Sequence, residues 1–187
     1  MTSELTDILG PFPNLRLSKA DKLLFRQFLY MEPNLVSLVG DGNVEEEILV
    51  LYNQDQPVGT ASIVIRKNLN KSVLPDHYAR LDVIIVGKKY RNLGIGRLLI
   101  VCALIYILRN FGKQIYSLSC LAAHDTVKKK LKNLSFVEHH ATEKNFWQGA
   151  LNLEENKLED LLELFQEDAK KCLQWTAYKL RNRDCAK

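Results

Sequence analysis

One stretch constrains this chain more than any other. Residues 79–86 read Ala-Arg-Leu-Asp-Val-Ile-Ile-Val, residues 87–90 Gly-Lys-Lys-Tyr and residues 91–96 Arg-Asn-Leu-Gly-Ile-Gly, and residues 97–111 continue as a mostly apolar run. Leu81–Val86 is β-branched and apolar with one acid near its start, which predicts an interior strand. Gly94 and Gly96 let the backbone come close to a ligand. Where that loop becomes a helix, N–H groups and the positive dipole end face an anion. Lys88, Lys89, Arg91 and Arg97 add positive charge on both sides. Strand, basic turn, glycine loop and apolar helix together suit a phosphate group.

Spacing narrows the choice of ligand. A dinucleotide loop needs G-x-G-x-x-G, and the third glycine position holds Leu99. A nucleoside-triphosphate loop needs G-x-x-x-x-G-K-[S/T], and the chain has no such run. Arg91-Asn92-Leu93-Gly94-Ile95-Gly96 after a strand instead resembles the pyrophosphate loop of the GNAT superfamily of acyl-CoA-dependent N-acetyltransferases.

That resemblance implies an α/β fold: a mixed, mostly antiparallel sheet, split by a V-shaped opening and flanked by helices. It implies acetyl-CoA as co-substrate, its diphosphate gripped by Arg91, Asn92, Leu93, Gly94, Ile95, Gly96 and Arg97. It places the amide that polarises the thioester near Ile85 or Val86. It makes Asp82 the general base, and burial in an apolar strand would raise that carboxyl's pKa. A plainer role for Asp82 is a sheet residue satisfied by Arg80 or Lys67.

The rest of the chain supports the same order of elements. Residues 1–13 end in Gly-Pro-Phe-Pro and read as a flexible lead-in. A short strand at 14–17 is followed by a helix capped by Ser18, with Asp21 as its capping-box partner. Strands at 47–52 and 58–66 form a hairpin, with Gly59 allowing close packing. Beyond the central helix come a strand at 113–121, a helix at 126–134 and a strand opening at 135–138. This segment resembles the second GNAT signature, with departures. Ser135 stands at the usual Gly and Leu131 at the usual Tyr, the family's common general acid. His124 stands at the usual Asn, at the mouth of the CoA site, where it is expected to bind the donor or move a proton. Cys120, Tyr116 and Tyr90 are the other candidate acids. Lys128-Lys129-Lys130 reads as a solvated face, or as one lysine touching the CoA 3′-phosphate.

Residues 152–171 carry a helical stripe of Leu158, Leu161, Leu162, Phe165 and Ala169. Residues 172–180 are richer in strand formers and are expected to form the last strand, pairing with 137–147. The acidic helix 151–171 would then be an insertion between the last two strands of a single domain, 1–187. The alternative is a helix running on to Lys179 as a dimerisation element, giving a homodimer, or as a docking element. Segment 151–171 holds seven acids and three lysines, a net of −4, so the remainder of the +4 chain carries +8. An acidic flap over the acceptor pocket would favour a cationic amine; the plainer role is a solvated helix face.

Composition fits a globular protein with a sizeable core: 187 residues, 47% hydrophobic and 26% charged. No basic tract interleaved with aromatics points to nucleic acid. Four cysteines and four histidines show no metal-ligand spacing, so no metal is expected. Cys102 and Cys120 lie in apolar segments as buried thiols, which suits a reducing cytoplasm. The acidic N-terminus lacks the pattern of a signal peptide. The apolar run Leu98–Leu108 has 11 residues, short of the about 20 that span a bilayer, so no membrane association is expected. The expected function is acetyl transfer from acetyl-CoA to a primary amine. A CoA-binding sensor or interaction module with weak turnover is the alternative.

Overall fold

The computed structural model describes residues 8, 14–30, 45–67, 77–122, 125–139, 147–153 and 156–184. Nearly all of the 1–13 lead-in therefore lies outside the described residues. Seven strands form one sheet: β1 Leu15–Lys19, β2 Glu45–Asn53, β3 Gln56–Lys67, β4 His77–Val86, β5 Ser117–Ala122, β6 Val137–His139 and β7 Trp147–Asn152. Their order is β1-β2-β3-β4-β5-β7-β6. Every pairing is antiparallel except β4 with β5. A parallel pair needs a crossover, and α2, Ile95–Phe111, supplies it. Further helices among the described residues are α1 Lys22–Leu29, α3 Asp125–Asn133 and α4 Leu158–Asp184.

Strand β4 decides where the sheet opens. It pairs with β5 from Tyr78↔Ser117 to Leu81↔Cys120 and no further. On its other side the register with β3 passes from Ile63↔Leu81 to Ser62↔Val83, leaving Asp82 as an extra residue in a β-bulge. A one-residue bulge reverses the facing of everything after it. Ala79 and Leu81 accordingly belong to the core under α2, whereas Val83 and Ile85 belong to the core under α1. Ile84 and Val86 take over the α2 side. The sheet thus parts beyond Leu81, at the bulge.

Helix α2 fills the larger core. Every residue from Leu98 to Leu108 is buried, on all sides of the helix, as an apolar run without amphipathic period requires. No helix among the described residues is long and apolar enough to cross a membrane.

Three expectations are corrected. Ser18 does not cap the first helix: it pairs with Val50 inside β1. Asp21 is the cap, accepting from the Leu24 N–H at 2.9 Å. Pairing with β2 holds the chain extended through Lys19, so the helix starts later. Second, residues 172–180 form no strand; they continue α4. Leu161, Phe165, Ala169, Cys172, Leu173, Thr176 and Leu180 are all buried. That 3–4-residue spacing packs against α2 and overrides the strand propensity of Trp175, Thr176 and Tyr178. Third, the acidic helix is not inserted between the last two strands, because it begins after β7. Residues 151–152 end β7, and the last strand pair is β6 with β7. The premise of an acidic flap over the acceptor goes with it.

Ser135, at the usual glycine, has φ +68°. It closes α3: its N–H donates to Lys132 O at 3.2 Å, and the Phe136 N–H to Leu131 O at 3.1 Å. This is a Schellman closure, with Leu131 and Phe136 both buried. The glycine conformation is therefore kept by a residue with a Cβ, at a strain of about 1–2 kcal/mol. Glycine would relieve that strain and return about 0.5–1 kcal/mol through unfolded-state entropy. Ser135→Gly is expected to stabilise the protein by about 0.5–1 kcal/mol. A thermal melt should then rise by about 1–4 °C, and a lowered melting temperature would refute the strain.

Candidate active site

The loop between β4 and α2 presents backbone amides at a helix start, an arrangement that suits an anion. One 3-10 turn, Lys88–Tyr90, leads to Asn92 in the left-handed region at φ +63°, which asparagine tolerates. Gly94 follows at φ +87° as the N-cap of α2, with no side-chain capping hydrogen bond. The first-turn N–H groups of α2 thus have neither a helical partner nor a side-chain cap. Gly59 lets the helix approach: a Cβ there would lie 2.8 Å from Leu99 Cδ1 and 2.9 Å from Ile85 O. Gly96 is different. A Cβ on it would meet Val86 Cγ2 at an ordinary 3.6 Å, so packing alone does not demand glycine there. Arg91, Asn92 and Arg97 are exposed, Leu93, Gly94 and Gly96 half-buried, and Ile95 buried.

Beyond Leu81, one edge of β4 runs unpaired with β5 toward this loop. The Gly87 N–H donates to Val58 O on β3 at 3.0 Å. Strand alternation then turns the N–H and C=O of Val86 and Ile84 toward the open edge and those of Ile85 toward β3. Arg91 Nε donates to Val86 O at 3.3 Å, and Ile85 O lies against Gly59, both in agreement. Of the two residues the sequence offers for a thioester-facing amide, Val86 has the outward backbone.

Asp82 sits at the bulge, where the sheet opens. Its carboxylate accepts from Arg80 Nη2 at 2.5 Å, with the Asp82 side chain almost wholly buried. Arg80 Nε is buried without a partner. His124 lies outside the described residues. Cys120 pairs with Leu81, the last contact before the parting. Burial pushes its thiol up to about 12, so it stays protonated at neutral pH. Tyr90 lies under two cations, with Lys89 Nζ 5.1 Å and Arg183 Cζ 5.2 Å from its ring centre. Tyr116 is exposed, one residue before β5. Leu131, at the usual tyrosine, is fully buried core.

Sequence reasoning missed the part α4 plays. A Cβ on Gly112 would meet Leu158 Cδ1 at 2.8 Å, and one on Gly94 would meet Thr176 Oγ1 and Trp175 Cδ1 at 2.8 Å. The helix therefore runs antiparallel along α2 and reaches the glycine loop. Arg183 Nη1 donates to Lys89 O at 2.5 Å, tying its end to the basic turn. Between the start of α2, α3 and α4 lies a cavity of about 200 Å³, lined by Gly94, Arg97, Lys130, Asp168, Lys171, Cys172 and Trp175. Lys130 faces this cavity in an ion pair with Asp168, whereas Lys128 and Lys132 pair with Glu138 on the surface. The lysine run is thus divided between solvent and the site. The only sequence signal for this was the unbroken 3–4 spacing past Ala169.

Comparison with known proteins agrees with the geometry. A family model described as "Acetyltransferase (GNAT) family" matches residues 5–129. No curated protein sequence matches the chain. Among solved structures, AtaTR bound with AcCoA superposes with a TM-score of 0.53 at 14% identity, covering 80% of this chain and 99% of that one. Arabidopsis thaliana Naa50, in complex with the bisubstrate analogue CoA-Ac-MVNAL, gives 0.54 at 12% identity, covering 74% and 99%. A GNAT-family acetyltransferase from Streptococcus pneumoniae gives 0.51 at 18% identity, covering 74% and 98%.

Two measurements check the local physics. Gly94→Ala should cost at least about 2 kcal/mol, from left-handed strain and the clash with α4. Gly96→Ala should leave stability unchanged or raise it by up to about 1 kcal/mol, alanine being the better helix former. Equal losses would refute the distinction. For Cys120, the unfolded thiol ionises from about pH 8.5 while the folded one stays protonated. The unfolded state then binds fewer protons, and stability falls by about 1.4 kcal/mol per pH unit until about pH 12. Cys120→Ala should therefore have a shallower alkaline fall between about pH 9 and about pH 11 in denaturant titrations.

Proposed function

The chain belongs to the GNAT acetyltransferase family, and from that premise we propose that it transfers an acetyl group from acetyl-CoA to a primary amine by direct attack. The observation that carries this reading is the continuity of two features. The open edge of β4 beyond Leu81 leads within a few residues to the uncapped start of α2. The residues present fit such a donor. First-turn N–H groups lack a cap, Gly96 is smaller than its packing requires, and Ile84 and Val86 turn their backbone outward.

Bound acetyl-CoA supplies a thioester from which the amine nitrogen displaces the CoA thiol, with one amine proton to be removed. In this reading the first turn of α2 and the side chains of Arg91 and Arg97 hold the diphosphate. The outward backbone of β4 orients the acyl arm, and positioning of this kind carries much of the rate. Asp82, at the bulge beside the opening, takes the amine proton. Its pairing with Arg80 fixes the carboxylate in place. Leu131 provides no acid, so the leaving thiolate takes its proton from elsewhere.

Two observations favour the second reading, a CoA-binding module with little turnover: the tyrosine position is filled by buried Leu131, and Asp82 is already engaged by Arg80. The two separate in one experiment. Thiol release from acetyl-CoA is followed across a panel of primary amines, alongside calorimetric binding of CoA. Turnover with at least one amine supports the transferase; CoA binding without turnover on any supports the module. Gly96→Ala should weaken CoA binding although its stability is undiminished. In a transferase, Asp82→Asn should lower kcat by about 100-fold or more and leave CoA affinity within about twofold. Unchanged kcat in a well-folded Asp82→Asn variant removes Asp82 from the chemistry.

A further inference from the structure

The cavity beside Gly94 is walled by three helices, α2, α3 and α4. Its cations come from three separate elements: Arg97 on α2, Lys130 on α3 and Lys171 on α4. One carboxylate, Asp168, accompanies them, and it is paired with Lys130. Lys130 Nζ also lies 3.4 Å from Cys172 Sγ. Burial and the Asp168 carboxylate hold the Cys172 thiol up against the opposing pull of Lys130, so this sulfur adds no negative charge. The lining therefore carries three positive charges against one negative, in a space of about 200 Å³. Beside it, Thr176 Oγ1 is wholly buried, has no hydrogen-bond partner and lies at the Gly94 backbone.

Three flexible cationic arms converging from different helices suit a compact dianion rather than a diphosphate strung along backbone amides. A phosphomonoester carries between about −1.5 and −2 at pH 7, which offsets the surplus of the lining. On the donor reading above, the ligand presents one such group, the 3′-phosphate of its nucleotide end, close to the diphosphate held at the start of α2. We propose that α4 completes the donor site: Lys171, with Arg97 and Lys130, receives the 3′-phosphomonoester in this cavity. Helix α4 lies wholly beyond residues 5–129, the part matched by the family model, so this contact is an addition to the common core. Asp168 opposes it, holding Lys130 until the phosphate competes for the ammonium.

The test compares CoA with dephospho-CoA, which lacks only that phosphate, by calorimetry on the full chain. The parent should bind CoA about tenfold more tightly, the value of a charge-assisted hydrogen bond. Lys171→Gln should lose most of that preference and leave dephospho-CoA affinity unchanged. Asp168→Asn should tighten CoA alone, a gain that misfolding cannot produce. Equal binding of both ligands by the parent overturns the inference and leaves the donor reading standing. A preference that survives Lys171→Gln, or a loss equal for both ligands, removes α4 from the site. Failure to bind either ligand overturns the inference together with the donor reading.

Discussion

The parting of β4 from β5 is the constraint on which the site depends. Hydrogen bonding between the two strands stops at Leu81↔Cys120, and the bulge on the opposite side of β4 falls at the next residue, Asp82. A strand in the middle of a sheet normally has both edges satisfied. Here one edge is released for five residues, 82–86, just before the chain turns into the glycine loop. The bulge also exchanges the two faces. Leu81 anchors the strand under α2, and Val83 and Ile85 anchor its continuation under α1. Both halves of β4 are thus held by apolar packing while their shared edge stays open.

Helix α2 makes that opening rigid. Its burial from Leu98 to Leu108 removes a large apolar area from water, at about 25 cal/mol per Å². The absence of a side chain at Gly59 lets Leu99 and Ile95 press against β3. The N-terminus of α2 is thereby fixed relative to Val86, and its first-turn amides are presented without a cap. Helix α4 holds the same end from the other side through Thr176 and Trp175 at Gly94 and Arg183 at Lys89. A loop pinned between a sheet edge and a second helix is preorganised, and little ordering remains to be done when an anion binds.

The chemistry follows from where charge is placed. The positive residues of the loop and of the three-helix cavity lie around the start of α2. The acids at the N-terminal end of α4, Glu159 and Asp160, lie near Leu158 and Gly112, at the far end of α2. The charge segregation visible in composition is therefore also spatial: Glu159 and Asp160 lie at the opposite end of α2 from Arg97, Lys130 and Lys171, and Asp168 is the one acid among those cations. Asp82 stands apart as the acid at the sheet opening.

Much of the fold was legible because its signals are local. The run 79–112 announced a strand, an anion loop and a buried helix through β-branching, glycine spacing and apolar length, and the resemblance carried by Arg91, Gly94 and Gly96 supplied the sheet around them. Local signals failed where packing outvoted them. Ser18 is a good cap, but cross-strand pairing to Val50 keeps it extended. Trp175, Thr176 and Tyr178 favour strands, but the face of α2 rewards a helix. By itself the sequence determined the glycine-loop signature and the family it resembles, since both reside in contiguous residues. Only the tertiary structure decided that the bulge falls at Asp82, that Val86 rather than Ile85 turns its backbone outward, and that α4 brings Lys171 to Arg97 and Lys130. Register, strand facing and helix docking depend on contacts between residues far apart in the chain, and no local pattern encodes those.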